Sequence, residues 1–570
     1  MNTTGAELLI KCLEKQGVEY IFGYPGGAAI PIFDALARSG TSIKFILTRH
    51  EQAAAHAADG YARACGNPGV VLVTSGPGAG NLVTGLMTAK MDSVPMVAIS
   101  GQTITAMLGL EAFQEADIVG ITKPVTKKNY LVLDGLAIPE IVEEAFSIAT
   151  SGRPGPVLID LPKDIAAGAV ETITAKKSVQ QMLVEDAILP NKSITLIAET
   201  LIDAARPLIL AGHGVLIDDA SEELNRFSEQ FDVPVVTTLL GKGAIDETSE
   251  LSLGMLGMHG TAYANTAIME ADVIFAIGSR FDDRIVGDAA AFAKNKKIVH
   301  CDIDVSQFGK MIAADITLQS GAKQALGALI KTDLSAYHDV WRKRTAELKR
   351  DLVLQLSGQD GLTQQAILES IDRQTKSDAI VTTDVGQHQM WAAQFLRTKS
   401  PNRWISSGGA GTMGFGLPSA IGAQFAQPGE TVVAIIGDGG FQMTSYELAT
   451  AFIHKLPLKL FIMNNHYLGM VRQWQELFYD NTLSGVDMEG NPDFVKLAES
   501  YGVRAINLEK TSDIERVVQE ALNYNDGPIV VNCEVIKTDN VYPMVPAGAG
   551  YDKMLIRAPE APLEKPSGST

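Results

Sequence analysis

A chain of 570 residues is too long for a single hydrophobic core, and at about 150 residues per domain it predicts three or four domains. Its 47 Lys and Arg against 66 Asp and Glu give a formal charge of −19 without a dense basic cluster, so no nucleic-acid partner is expected. Cys12, Cys65, Cys301 and Cys533 have no CxxC spacing and no apolar run approaches membrane-span length, which argues against a zinc site, a disulfide framework or a membrane span and for reduced, cytoplasmic chemistry.

The N-terminus runs straight into an amphipathic helix pattern (Ala6, Leu8, Leu9, Cys12, Leu13), leaving no room for a signal peptide. Strand signals follow at Tyr20–Gly23, Ile43–Leu47, Gly69–Thr74, Pro95–Ser100 and Val157–Leu161, with helical stretches between them. This alternation predicts a doubly wound parallel sheet over 1–180. A less regular stretch from Lys176 to Lys192 precedes a second alternating set over 190–335, with strands at Pro207–Gly212, Val233–Thr237, Val273–Ile277 and Lys297–Ile303. A charged helical connector over 333–360 leads to a third set over 360–550, with strands at Ala379–Thr383, Thr431–Ile436, Lys459–Met463 and Pro528–Cys533. The remainder, 551–570, ends in a Pro-, Ser- and charge-rich tail from Ala558 that is predicted to be extended or disordered. The fold class is α/β, with three doubly wound parallel-sheet domains.

The most informative motif lies in the third set. One strand candidate runs into Gly437-Asp438-Gly439 and the next into Asn464-Asn465, with a helix predicted over Ser445–His454 between them. A right-handed crossover brings both polar ends to one sheet edge, where Asp438 and Asn465 can share a hard cation such as Mg²⁺. Gly437, Gly439 and Gly440 let a diphosphate approach the backbone closely. Either half alone reads as an Asp-Gly turn or a helix-capping Asn. The two together point to a metal-assisted diphosphate site.

This spaced pair resembles that of the thiamine diphosphate enzymes. The resemblance implies that Asp438, Asn465 and the backbone carbonyl of Tyr467 ligate the metal. It also implies a catalytic acid: the C2 proton of a thiazolium is removed by the cofactor's own aminopyrimidine when a glutamate protonates its ring nitrogen. Glu51, in the run HEQAAAHAADGYAR, resembles that glutamate, although a first-turn acid can also simply answer the helix dipole. By the same resemblance the turn Ser75–Asn81 lines the cofactor cleft, Gly411 contacts the aminopyrimidine and Met413 is the wedge that bends the cofactor. Val385, Gly386, Gln387, His388, Gly469 and Met470 would complete the thiamine diphosphate contacts. A polar loop for His388 and core filling for Met413 are the plain structural readings. The family arrangement implies an obligate homodimer or higher assembly, with the Glu51 domain of one subunit facing the diphosphate domain of another.

Met470-Val471-Arg472-Gln473-Trp474-Gln475, together with Ala112-Phe113-Gln114-Glu115, narrows the resemblance to the acetohydroxyacid synthase (acetolactate synthase) catalytic large subunits, over nearly the whole chain. That implies decarboxylation of pyruvate and carboligation of the hydroxyethyl group to a second 2-oxoacid, giving 2-acetolactate or, from 2-ketobutyrate, 2-aceto-2-hydroxybutyrate. This is the first common step of valine, leucine and isoleucine biosynthesis. Trp474 would set the preference for 2-ketobutyrate, with Met470, Ala28 and Arg284 as further substrate contacts and Gly27, Phe113, Gln114 and Lys163 in the catalytic site. FAD, in a structural role, would be held by Arg153, Gly212, Gly214, Met258, His259, Arg280, Asp282, Arg284, Asp302 and Asp315. Arg280 and Arg284 could instead pair with Asp282 or Asp283. Two departures from the family pattern are Ile104, where proline is usual, and Ala314-Asp315, where Gly-Asp is common. A regulatory small subunit is a further candidate partner. The alternatives are a pyruvate oxidase with redox-active FAD, a simple 2-oxoacid decarboxylase, or a non-catalytic thiamine diphosphate-binding protein.

Overall fold

The computed structural model describes residues 3–170, 189–332, 334–354, 361–559 and 563. Most of the irregular stretch expected from Lys176 to Lys192 and most of the C-terminal tail lie outside the described residues. Three six-stranded sheets organise the chain, each parallel throughout. The first contains β1 (Tyr20–Tyr24), β2 (Lys44–Leu47), β3 (Gly69–Val73), β4 (Met96–Gln102), β5 (Lys128–Leu131) and β6 (Pro156–Pro162) in the order β2-β1-β3-β4-β6-β5. The second contains β7 (Pro207–Ala211), β8 (Val235–Thr237), β9 (Ser252–Met255), β10 (Val273–Ile277), β11 (Lys297–Asp302) and β12 (Ile316–Gln319), ordered β9-β8-β7-β10-β11-β12. The third contains β13 (Ile380–Thr383), β14 (Trp404–Ser406), β15 (Val432–Gly437), β16 (Lys459–Asn464), β17 (Arg504–Leu508) and β18 (Ile529–Glu534), ordered β14-β13-β15-β16-β18-β17. The first and third sheets therefore share one topology, and the second has another.

Central strands such as β15 and β16 are buried at every position, which is why they read as unbroken apolar runs. In these three sheets, five strands were not signalled by the sequence: β5, β9, β12, β14 and β17. All five are edge strands. β5 and β17 are mostly half-buried or exposed, β12 alternates between buried and exposed, and β9 and β14 are short, so none presents the apolar run of a central strand.

Two helices lock the first sheet to the third. In the order of the chain these are α1 (Glu51–Cys65) and, after α2 (Gln387–Phe395), α3 (Gly416–Ala426). Where α1 and α3 cross, their backbones touch: a Cβ on Gly422 would lie 1.8 Å from the Ala57 carbonyl oxygen, and one on Gly60 would lie 2.1 Å from that of Ser419. Beside the crossing, the buried Arg63 guanidinium donates to Asp59 (2.6 Å), Asp92 (2.9 Å) and the Ser406 carbonyl (3.0 Å). The second sheet is tied in by the buried Lys242–Glu247 pair (2.7 Å), whose carboxylate also accepts the Thr398 N–H (2.8 Å). Among the described residues no helix is long and apolar enough to cross a membrane.

Candidate functional site

The diphosphate region is built at the C-terminal ends of β13, β15 and β16. Adjacent strands β15 and β16 place Gly437 opposite Met463, so Asp438 and the Asn464-Asn465 pair emerge side by side. Asp438 opens helix α4 (Asp438–Thr444), so the helix between the two motifs begins earlier than Ser445. The buried Asp438 carboxylate accepts a hydrogen bond from Asn491 Nδ2 (2.7 Å), and burial pushes its pKa up to about 6. Asn465 folds back on the chain, its Oδ1 accepting the Tyr467 N–H (3.1 Å), while its Nδ2 donates to Gln387 Oε1 (3.3 Å). Gln387 starts α2 and gives its own amide hydrogens to Gln473 Oε1 (2.9 Å) and the Asp539 carbonyl (3.0 Å). Its amide hydrogens are thus engaged within the protein, and its Oε1 supports Asn465. Gly469, the first residue of α5 (Gly469–Phe478), has no space for a side chain, because a Cβ there would lie 2.1 Å from Gln387 Oε1.

Asp384, at the end of β13, is fully buried and accepts the N–H groups of Val385 (2.8 Å), Gly414 (3.0 Å) and Gly416 (3.0 Å). These bonds pin the loop that carries Gly411, at φ +62°, and Met413, which lies close to Gly439. A Cβ on Gly440 would fall 2.3 Å from Asp384 Oδ1, which makes glycine obligatory. His388 stands over Gly437, and its buried Nε2 has no hydrogen-bond partner. Burial lowers the pKa of this imidazole to about 3, so the ring is neutral.

A diphosphate with a divalent cation fits these features. The imidazole nitrogen of His388 has a free position for a ligand, Gly411 has open space on its Cβ side, and a cation beside the buried Asp438 carboxylate would offset the burial that raises its pKa. Among the described residues no group of three or more His, Cys, Asp or Glu could hold a metal unaided. A cation here must take carbonyl, amide or phosphate oxygens, as Mg²⁺ does.

A cleft of about 750 Å³ runs from this region into the second sheet. At one end it is lined by Val385, Gly386, Gly411, Met413, Met470 and Trp474. At the other it opens onto the point where the second sheet's strand order reverses, between β7 and β10, which is where dinucleotides bind open α/β sheets. There the backbones of Gly212 and Gly214 press against Gly278, with a Gly214 N–H to Gly278 carbonyl bond of 3.0 Å. Arg153, Met258, His259, Arg280, Asp282, Arg284 and Asp302 also line this cleft. Arg153 is braced by Ser93 Oγ (2.7 Å) and the Met91 carbonyl (3.3 Å). Arg280 pairs with Asp282 at 2.7 Å, whereas the exposed Arg284 reaches Asp283 only at 3.7 Å.

Asp315, expected among the flavin contacts, lies outside this cleft. It precedes β12, at the opposite edge of the sheet, where its carboxylate accepts the Ile298 N–H (2.7 Å) and its own N–H donates to the Ile298 carbonyl (2.8 Å). It therefore splices two strands together, and Ser320 and Gly321, at the other end of β12, line the cleft instead. Both were missed because β12 is an edge strand that gave no sequence signal. Asn491 was missed too: Asn491-Pro492-Asp493 reads as a turn before the helix Phe494–Ser500, which Asp493 caps.

The remaining candidates gather at the C-terminal edge of the first sheet. Gly27 and Ala28 follow β1, Glu51 follows β2, Phe113 and Gln114 follow β4, and Lys163 follows β6. Glu51 accepts a hydrogen bond from Asn81 Nδ2 (2.9 Å) and lies against Gly78, so it joins the glycine turn. It is not part of the cleft lining. Phe113 is 89% exposed. None of this group lines the cleft that Val385, Gly411, Met413 and Trp474 line.

Comparison with known proteins decides the family. Three models match in succession: the thiamine pyrophosphate enzyme N-terminal binding domain over residues 3–121, the central domain over 194–329 and the C-terminal binding domain over 384–533. The chain is 44% identical to an acetolactate synthase of Arthrospira platensis, covering 97% of this chain and 98% of that one. It is 47% identical to a probable acetolactate synthase large subunit of Methanocaldococcus jannaschii (95% and 94% covered). It is 43% identical to the acetolactate synthase isozyme 3 large subunit of Escherichia coli (98% and 99% covered). The chain belongs to the acetolactate synthase family of thiamine pyrophosphate enzymes. In acetolactate synthase terms, the first and third sheets, which share a topology, are the two thiamine pyrophosphate-binding units, and the second is the central domain.

Proposed function

We propose that this chain is an acetolactate synthase that decarboxylates pyruvate and joins the two-carbon remainder to a second 2-oxoacid, pyruvate or 2-ketobutyrate, in branched-chain amino-acid biosynthesis. The observation that carries this reading is the continuous cleft that joins Gly411 and Met413, beside the diphosphate region, to Met470 and Trp474. It offers an apolar wall next to the place where the cofactor's reactive ring belongs.

In this reading Asp438, Asn465 and the Tyr467 carbonyl hold Mg²⁺, and His388 with the glycines at 386, 437, 439 and 440 receives the diphosphate. When bound, thiamine diphosphate supplies a nucleophilic carbon that adds to the pyruvate carbonyl and holds the electron pair left when CO₂ departs. Glu51 keeps a proton at the aminopyrimidine ring nitrogen. Because Glu51 lies outside the cleft of its own chain, a second copy supplies it, and the active unit is at least a homodimer. Gly27, Ala28, Phe113, Gln114 and Lys163 come from the same copy as Glu51 and close the site over the substrate, excluding water. Arg284, exposed at the mouth of the cleft, takes the carboxylate of the second 2-oxoacid through its planar fork. The part of the cleft at the C-terminal ends of β7 and β10, lined by Gly212, Gly214, Gly278 and Arg280, would hold FAD as a structural element, since the net reaction transfers no electrons. The enzyme works in the cytoplasm, with a separate regulatory small subunit as partner.

Incubating the purified protein with pyruvate, Mg²⁺, thiamine diphosphate and FAD tests this directly. Acetolactate is the expected product. Acetaldehyde as the main product would replace the synthase with a simple decarboxylase, and stoichiometric oxygen uptake would replace it with an oxidase.

A further inference from the structure

We infer that Asn491 is a positioning residue for the metal ligand Asp438. It lies beyond α5, on a segment laid across the turn that carries Tyr467: the Leu468 N–H donates to the Val486 carbonyl (2.8 Å), the Met488 N–H to the His466 carbonyl (3.0 Å), and the Asn491 N–H to the Met488 carbonyl (3.1 Å). These bonds deliver the Asn491 side chain to the ends of β15 and β16. Its Nδ2 donates to Asp438 Oδ2 at 2.7 Å and reaches Asn464 Oδ1 at 3.3 Å.

The amide can serve only one way round. Gln442 Nε2 donates to Asn491 Oδ1 (2.8 Å) and also to the Asp438 carbonyl (3.2 Å), so the Asn491 oxygen is already taken and its NH₂ must face the carboxylate. Gln442 sits on α4 itself, four residues after Asp438, so orienter and ligand move as one body. With one carboxylate oxygen anchored, Asp438 is held in a single rotamer and presents the other oxygen. A ligand fixed before the cation arrives binds it more tightly, because no rotamer freedom is lost on binding. Asn464 is fixed on its other side by donating Nδ2 to Glu534 Oε1 (3.0 Å), so the same amide joins both strand ends.

This rests on the metal reading given above, and the test separates the two. Mg²⁺ is titrated calorimetrically into the full-length protein holding thiamine diphosphate, for wild type, Asn491→Ala and Gln442→Leu. For Asn491→Ala the Mg²⁺ Kd is expected to rise by about 10–100-fold, as for other partners that orient a metal ligand, with kcat recovering at saturating Mg²⁺ and the pyruvate KM unchanged. Gln442→Leu, which frees the Asn491 amide to turn, is expected to give a smaller rise in the same direction, and it carries the test should Asn491→Ala not fold. A Mg²⁺ Kd within twofold of wild type in the variants, with only a lower Tm, would reduce Asn491 to a loop anchor and overturn the inference. Wild-type protein that binds no Mg²⁺ with thiamine diphosphate would instead overturn the metal site itself.

Discussion

The carboxylate of Asp92 accepts the backbone N–H of Gly409 at 2.6 Å, and its second oxygen accepts that of Gly408 at 3.0 Å. One acid from the first sheet's connections thereby fixes the turn that leads to Gly411 in the third unit. The same residue's carbonyl is within hydrogen-bonding distance of His213 Nδ1 (2.9 Å), in the second unit, and its carboxylate also holds Arg63. All three units of the chain meet at Asp92.

Asp92→Ala leaves two backbone donors and part of a buried guanidinium without partners. Breaking such a buried pair costs about 3–5 kcal/mol. The variant is expected to lose that much in chemical denaturation and to bind thiamine diphosphate more weakly, since the loop carrying Gly411 keeps its Asp384 anchor but loses the one at Gly408 and Gly409. Unchanged denaturation would show that the turn is fixed by other contacts.

Glu51→Gln keeps the size of the side chain and the contact with Asn81 but removes the acid. Turnover is expected to fall by about 10²–10⁴-fold, the usual range for a positioned proton donor, with thiamine diphosphate affinity little changed. Steady-state kinetics with a parallel cofactor titration measures both, and normal turnover would remove Glu51 from the mechanism.

Trp474 lines the cleft and packs against Phe478 with ring centroids 5.1 Å apart and planes tilted by 48°, so its indole is a firm wall. A single methylene in an apolar pocket is worth about 1–3 kcal/mol. Trp474→Leu is therefore expected to reduce the preference for 2-ketobutyrate over pyruvate by about 10-fold or more when both acceptors compete. An unaltered product ratio would place specificity elsewhere.

Glu447 is fully buried next to the start of α1, accepting the Arg49 N–H (2.7 Å) and the Thr450 hydroxyl (2.6 Å). Burial pushes its pKa up to about 7 from an ordinary 4.5. Between those values the folded chain holds this proton more tightly than the unfolded chain, so stability is lost as the pH rises through the window. Glu447→Gln cannot ionise. Its stability relative to wild type is expected to improve between pH 5 and pH 7.5, by about 3 kcal/mol at most. Parallel curves for the two proteins across that range would show that Glu447 does not titrate there.

Much of the site was legible because its chemistry sits on consecutive residues. Gly437-Asp438-Gly439 and Asn464-Asn465 each close a strand, and neighbouring parallel strands deliver their ends to the same edge whatever lies between them. The partners that make those residues effective are remote. Gln387 is 78 residues from the Asn465 it supports, and Asn491 is 53 from Asp438. Neither distance leaves a trace in local pattern, and the turn chemistry of Asn491-Pro492 hides the second.

The sequence by itself determined the α/β class, the central strands and the positions of the chemical groups, because a strand buried on both faces must be apolar and a close approach must be glycine. Tertiary structure alone decided the rest. Edge strands pair on one side only and need no apolar run, so the sheet orders, and with them the crevice between β7 and β10, emerged from packing. It was pairing across strands that put Asp315 at the end of its sheet away from the cleft. Packing within the first unit set Glu51, at the start of α1, against Asn81, 30 residues on, and outside the cleft of its own chain, a matter of tertiary packing and not of any residue's own preference.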